Sequence, residues 1–435
     1  MQDAIDTQAE KRGANGPGSF RHALSAEIVS NRNKTQLPRN TQRATPGHVQ
    51  ALSVILVCTN FAHAEPFLPS EGSQVLEHIR STSAQPGARA LKELRGRLAV
   101  DPQNLDVAEQ FARECIARSR SEADPRYLGR AQSALAPWWD AKTAPVDVLV
   151  LRATIRQSQH DFTNALADLQ VSIERAPRNA QAWLTRATIL TVLGEYAAAR
   201  RACVPLAQLA PGLVALTCAA SISCLNGEAE NSCALLGHAL EANPNAAANE
   251  RIWALTVLGE ASARLGKSSE AERYFKQAMA IEPRDSYLRC SYADLLLDQG
   301  RAREAVRLLK QEVRADGVLL RLALAESQLE PKPASMQVHI NELRGRFEEA
   351  RLRGDFVHQR EEARFALHLL QIPREALRLA QENWQVQHEP ADARILLESA
   401  LAARDKDAAR PVLDFIRVNH VNDVGLNCLA KQLEQ

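Results

Sequence analysis

Ala153, Phe162, Ala165 and Pro177 recur 34 residues later as Ala187, Tyr196, Ala199 and Pro211. A second set, Leu258, Gly259, Gly266, Ala271, Phe275 and Ala278, recurs at the same spacing of 34 as Tyr292, Ala293, Gly300, Ala305, Leu309 and Glu312. A unit this short cannot bury an apolar face alone, so a chain built from it must stack each unit on the next. Glycine and proline at fixed places divide the unit into two helices. Small residues such as Gly259 and Ala271 mark where the helices approach closely, and Leu258, Leu265 and Phe275 fill the remaining gap. Gly266 ends the first helix, because glycine enters a left-handed cap without a steric penalty. Pro283 stops the second helix and turns the chain into the next unit.

Composition agrees with helices throughout. Hydrophobic residues make up 45% of the 435-residue chain but aromatics only 5%, so the apolar content is mostly alanine, leucine and valine. Alanine and leucine are strong helix formers and β-branched runs are scarce, which predicts an all-α protein. The period and residue types resemble the tetratricopeptide repeat, most clearly in IWALTVLGEASARLGKSSEAERYFKQAMAIEP, residues 252–283. The resemblance implies an α–α superhelix, an alpha-solenoid of helix pairs. It is strong over 146–316, with one degenerate pair at 212–251 that lacks large aromatics and ends in an alanine-rich insertion. Divergent helical repeats are expected over 72–145 and divergent helix pairs over 317–420. A solvating cap helix is expected over 421–435, as repeat arrays require.

Upstream of the array, residues 1–43 are polar with no periodic apolar face, and read as a disordered or misassigned extension. Residues 44–64 read as a signal peptide. The apolar core Ala51–Cys58 has the length of a signal core and falls short of the roughly 20 apolar residues of a spanning helix. Ala62-His63-Ala64 then offers the small-x-small pattern of a cleavage site, with Glu65 first in the mature chain. A retained helix and a lipid-bearing Cys58 are the competing readings. The cleaved reading places the protein in the periplasm or outside the cell, and the retained one in the cytoplasm. No later segment is apolar for long enough to enter a membrane stably.

Net charge is +1, which removes the broad basic field of a general nucleic-acid binder, so no nucleic acid is expected as partner. No glycine-rich phosphate loop, nucleophile elbow or histidine pair at zinc spacing is present, so neither a catalytic site, a metal nor a cofactor is expected. His339, His358, His368 and His388 follow no metal spacing. Seven cysteines would remain after cleavage, four of them at 203–233. In an oxidising compartment Cys224 and Cys233, on partner helices, are candidates for a disulfide, with cysteine as a small packing residue the alternative.

The concave face of such an array is lined by the first helix of each pair. By resemblance, the partner-binding groove holds Asp147, Thr154 and Gln157, then Gln181, Leu184 and Thr188. Trp253, Thr256, Glu260 and Arg264 follow, with Tyr287, Asp294 and Asp298 completing it. Trp253 and Tyr287 would anchor an apolar side chain while Glu260, Asp294 and Asp298 select a basic neighbour. The competing reading of Trp253 is packing against the inserted loop. The lysine- and asparagine-rich clamp by which chaperone-binding members hold a terminal carboxylate is not matched. The expectation is a non-catalytic scaffold binding a protein or peptide in a bacterial cell envelope, with complex assembly as a role and oligomeric state open. The alternatives are an accessory subunit that positions a substrate for an enzyme, and a cytoplasmic regulator.

Overall fold

The computed structural model describes residues 88–434 apart from 142, 312, 355 and 356. The extension 1–43, the signal segment 44–64 with its Ala64–Glu65 cleavage site, residues 72–87 and Glu312 lie outside the described residues. Two units divide the described residues, 88–92 and 93–434. In the smaller unit the described residues 88–92 are helical.

The described residues form helices and turns, with no strand among them. The series opens with α1 (Ala88–Val100), α2 (Leu105–Glu122), α3 (Arg126–Ala134) and the short α4 (Ala136–Trp139). The regular pairs follow: α5 (Val146–Ser158) with α6 (Phe162–Arg175), and α7 (Ala180–Val192) with α8 (Tyr196–Cys203). Val204 and Pro205 interrupt the latter before α9 (Leu206–Leu209). The degenerate pair is α10 (Leu213–Ser223) with α11 (Ala229–Ala242). Next come α12 (Ala248–Arg264) with α13 (Ser268–Ile281), α14 (Ser286–Asp298) with α15 (Ala302–Leu309), and α16 (Asp316–Ser327) with α17 (Ser335–Leu352). The last are α18 (Gln359–His368) with α19 (Pro373–Trp384), and α20 (Pro390–Ala403) with α21 (Arg410–Val418) and α22 (Val424–Glu434).

Each helix packs on its pair partner, and first helices stack on first helices from α2 through α5, α7, α10, α12, α14, α16 and α18 to α20. The fold is therefore an all-α, α–α superhelix of helix pairs. Sequence explains the joints. Asn104, Asp161, Asn179 and Asp285 cap α2, α6, α7 and α14 by accepting a backbone N–H with their side chains. Gly266 takes φ +74° at the end of α12, as its sequence position requires. His160 stands where the repeat places Gly194, adopts φ +58°, and stacks on Phe162 at 5.3 Å.

The core follows the repeat positions. Leu258, Ala271, Phe275 and Ala278 are at most 1% exposed. A β-carbon built on Gly259 would lie 2.6 Å from the Phe275 ring, so the glycine is what lets α12 and α13 approach. A Cys203–Cys218 disulfide ties α8 to α10, the first helix of the degenerate pair.

Candidate functional site

Helical periodicity puts Trp253, Glu260 and Arg264 on one face of α12, and Tyr287, Ser291, Asp294 and Asp298 on one face of α14. These faces turn to the axis of the array, where a cavity of about 330 Å³ runs along the first helices. Thr188, Trp253, Glu260, Arg264, Tyr287, Asp294 and Asp298 all line it. Gln181 does not reach it; its amide donates to Thr185 Oγ1 at 3.0 Å within α7. Thr188 is on the wall but donates its hydroxyl to Leu184 O at 3.0 Å.

Trp253 is both wall and core. It is 5% exposed and packs among the buried residues of α10 and α12, yet its indole N–H has no hydrogen-bond partner. The Nε and Nη2 groups of Arg264 are likewise buried without an acceptor. A buried donor with no acceptor costs about 1–3 kcal/mol, more when charged, so this face of α12 is short of oxygen atoms. Glu260 does not supply them, since it accepts from Tyr287 at 2.5 Å and Ser291 at 3.2 Å.

The acidic face of α14 is answered from within the chain. Asp294 accepts from Arg321 of α16 at 2.9 Å and from Arg364 of α18 at 2.9 Å. Asp298 takes a two-bond contact from Arg394 of α20, at 2.7 and 2.8 Å. Burial alone would raise the Asp294 carboxyl, but the Arg321 and Arg364 guanidiniums outweigh it and hold it well below the carboxylate range. Arg394 also donates to Glu398 at 2.7 Å, and His368 meets the other Glu398 oxygen at 3.0 Å. Burial opposes ionisation of Glu398 too, yet His368 and Arg394 bring it down to about 2.

The array then closes on itself. The loop before α20 returns to the end of α7, where His388 donates its backbone N–H to Val192 O at 2.7 Å and its ring Nδ1–H to Leu193 O at 2.9 Å. Phe415 of α21 stacks on His388 and packs edge-on to Tyr196 of α8, with its ring over Gly194. A side chain at 194 would collide with that ring, so Gly194 serves the closure as well as its own turn. Asn422 N–H reaches Leu225 O at 3.3 Å. Beside the closure, Arg360 binds Glu389 and Asp392, and Asn383 and Gln387 complete the hydrogen bonding of Asp392.

Arg321, Arg364, Arg394 and Glu398 are the site residues that sequence reading missed. One signal did exist: Trp253, Tyr287 and Arg321 stand at successive steps of 34. Among the described residues no group of histidine, cysteine or carboxylate side chains could hold a metal ion, and no helix is long and apolar enough to cross a membrane.

Comparison with known proteins bears on the fold. Residues 112–316 match a family model described as tetratricopeptide repeat. A tetratricopeptide repeat protein from Parabacteroides merdae is similar in structure, at 14% identity over 80% of this chain and 100% of that one, with a TM-score of 0.30. Yeast Tom70 is similar at 11% identity over 81% of this chain and 86% of its own, with a TM-score of 0.37. The Cut9–Hcn1 assembly of the APC/C is similar at 15% identity over 79% and 75%, with a TM-score of 0.41. No curated protein matches the chain. No residue role is carried over from any of these structures.

Proposed function

Residues 112–316 of this chain match the tetratricopeptide repeat family, and we propose on that premise that the chain is a non-catalytic scaffold holding a protein segment against α12 in the axial cavity. The observation that carries the reading is the pair of unanswered donors on one wall, the Trp253 indole N–H and the Arg264 guanidinium. Peptide carbonyls or a carboxylate side chain would satisfy both. The α14 carboxylates contribute less to partner choice, because a basic partner would have to displace Arg364 and Arg394 from them.

Placement in the cell envelope rests on the signal-like segment 44–64. The Cys203–Cys218 bridge supports it, since such bonds persist in oxidising compartments. A role in assembling an envelope complex would fit a scaffold of this kind.

The test is capture of partners from envelope extract by the full chain, alongside Trp253→Phe and Arg264→Gln. Phenylalanine keeps an aromatic ring at the site and removes the N–H together with part of the indole. The expected result is a partner held by the parent and lost or weakened at least tenfold with either variant, under conditions where each variant remains folded. Equal capture by all three proteins would remove the α12 wall from the binding site.

A further inference from the structure

The turn between α10 and α11 brings two sulfurs together that the groove does not use. Cys224 caps the end of α10, the chain reverses through residues 225–228, and Cys233 sits one turn into α11. Their Sγ atoms lie 3.5 Å apart, both as thiols, while Cys203–Cys218 in the same region is already bridged. We propose that Cys224 and Cys233 are a second, reversible disulfide site that exchanges electrons with small or protein disulfides, Cys233 attacking and Cys224 resolving.

Exposure sets the order. Cys224 is fully buried, whereas Cys233 is half-buried and open to an incoming sulfur. The surroundings of Cys233 favour its thiolate. The hydrogen bond with Cys224 lowers its pKa most, burial opposes, and Arg264 and Lys267 add positive potential against Glu270. The other thiols are poor competitors inside the fold: Cys115 is pushed up to about 11 by burial, and Cys290 is buried. Cys428 is exposed but lies far along the chain on α22.

The chemistry balances in two steps. The Cys233 thiolate attacks one sulfur of the external disulfide, forming a mixed disulfide and expelling the other half as a thiolate, which takes up the proton Cys233 lost. Cys224 then gives its proton to solvent and attacks the Cys233 sulfur, forming the Cys224–Cys233 bond and releasing the second half as a thiol. The pair is oxidised by two electrons and the external disulfide is reduced to two thiols. With both bridges formed, α10 would be tied to α8 at its middle and to α11 at its C-terminal end. This inference is independent of the peptide-binding reading.

The experiment uses the full chain carrying Cys428→Ser, with Cys203–Cys218 intact and oxidised glutathione as the probe, read by non-reducing peptide mapping. Two thiols should disappear together, with a peptide linking Cys224 to Cys233 and the Cys203–Cys218 link retained. Adding Cys224→Ser should stop the reaction at one stable glutathione adduct on Cys233. Adding Cys233→Ser should slow thiol loss at Cys224 at least tenfold. The proposal is overturned if both thiols persist in the folded Cys428→Ser chain. It is equally overturned if the Cys233 adduct accumulates with Cys224 present, or if either sulfur links to Cys203 or Cys218.

Discussion

Gly259 shows how much a single side chain decides here. Its missing β-carbon leaves the space into which the Phe275 ring fits, with 2.6 Å to where that carbon would be. Gly259→Ala should therefore destabilise by about 1–3 kcal/mol despite alanine's better helix propensity, since overpacking a tight contact outweighs it. Urea unfolding measures this directly, and a stabilised variant would show that α12 and α13 can part at no cost. Trp253 carries a different burden. At 5% exposure it is a core residue as well as a wall residue, so Trp253→Ala should cost about 3–5 kcal/mol, read as a lowered denaturation midpoint. A binding loss in that variant would say nothing about recognition, whereas Trp253→Phe would. Exposure of this kind is not legible in sequence. The repeat register places Trp253 on the inner face, but only the curvature of the neighbouring helices determines how much water reaches it.

At the scale of helices, the pairs were legible wherever local rules set them. Asp285, Gly266 and Pro283 mark where helices start and stop by chemistry that acts over a few residues. The resemblance to tetratricopeptide repeats supplied the pairing for the same reason, since its defining residues are the packing residues. The wall of arginines opposite α14 was not legible. Asp298 meets Arg394 across 96 residues, and no spacing rule reaches that far through pairs of unequal length. These ion pairs make α20 sensitive to pH. Glu398 lies below its ordinary value of 4.5, at about 2, so its folded form stabilises the protein fully above the ordinary value and loses that contribution as pH falls toward 2. Glu398→Gln should thus cost on the order of 3 kcal/mol at pH 7, shrinking steadily between pH 4.5 and 2. Paired denaturation curves across that range would check it, and a pH-independent difference would contradict the assignment of Arg394 and His368 as its causes.

Across the whole array, the contacts of α18, α20 and α21 with α14, α7 and α8 convert a stack into a closed circuit. Reversing charge at both Arg364→Glu and Arg394→Glu sets like charges against Asp294 and Asp298, and should enlarge the radius of gyration in small-angle scattering while helix content stays constant. Adding Asp298→Arg, which restores an opposite-charge pair with position 394 while leaving Asp294 on Arg321, should bring the radius part of the way back. If the double reversal leaves the radius unchanged, the hydrogen bonds of His388 and the ring of Phe415 hold the circuit without the ion pairs.

The His388–Leu193 bond joins positions 195 residues apart. In an open stack, a pair that melts in the middle leaves two pieces joined by a few residues of slack chain, free to drift. Here the two pieces stay connected on the far side as well. The torn faces remain at high effective concentration for one another, so an interior break between α8 and α18 heals as an intramolecular event held by two tethers rather than one.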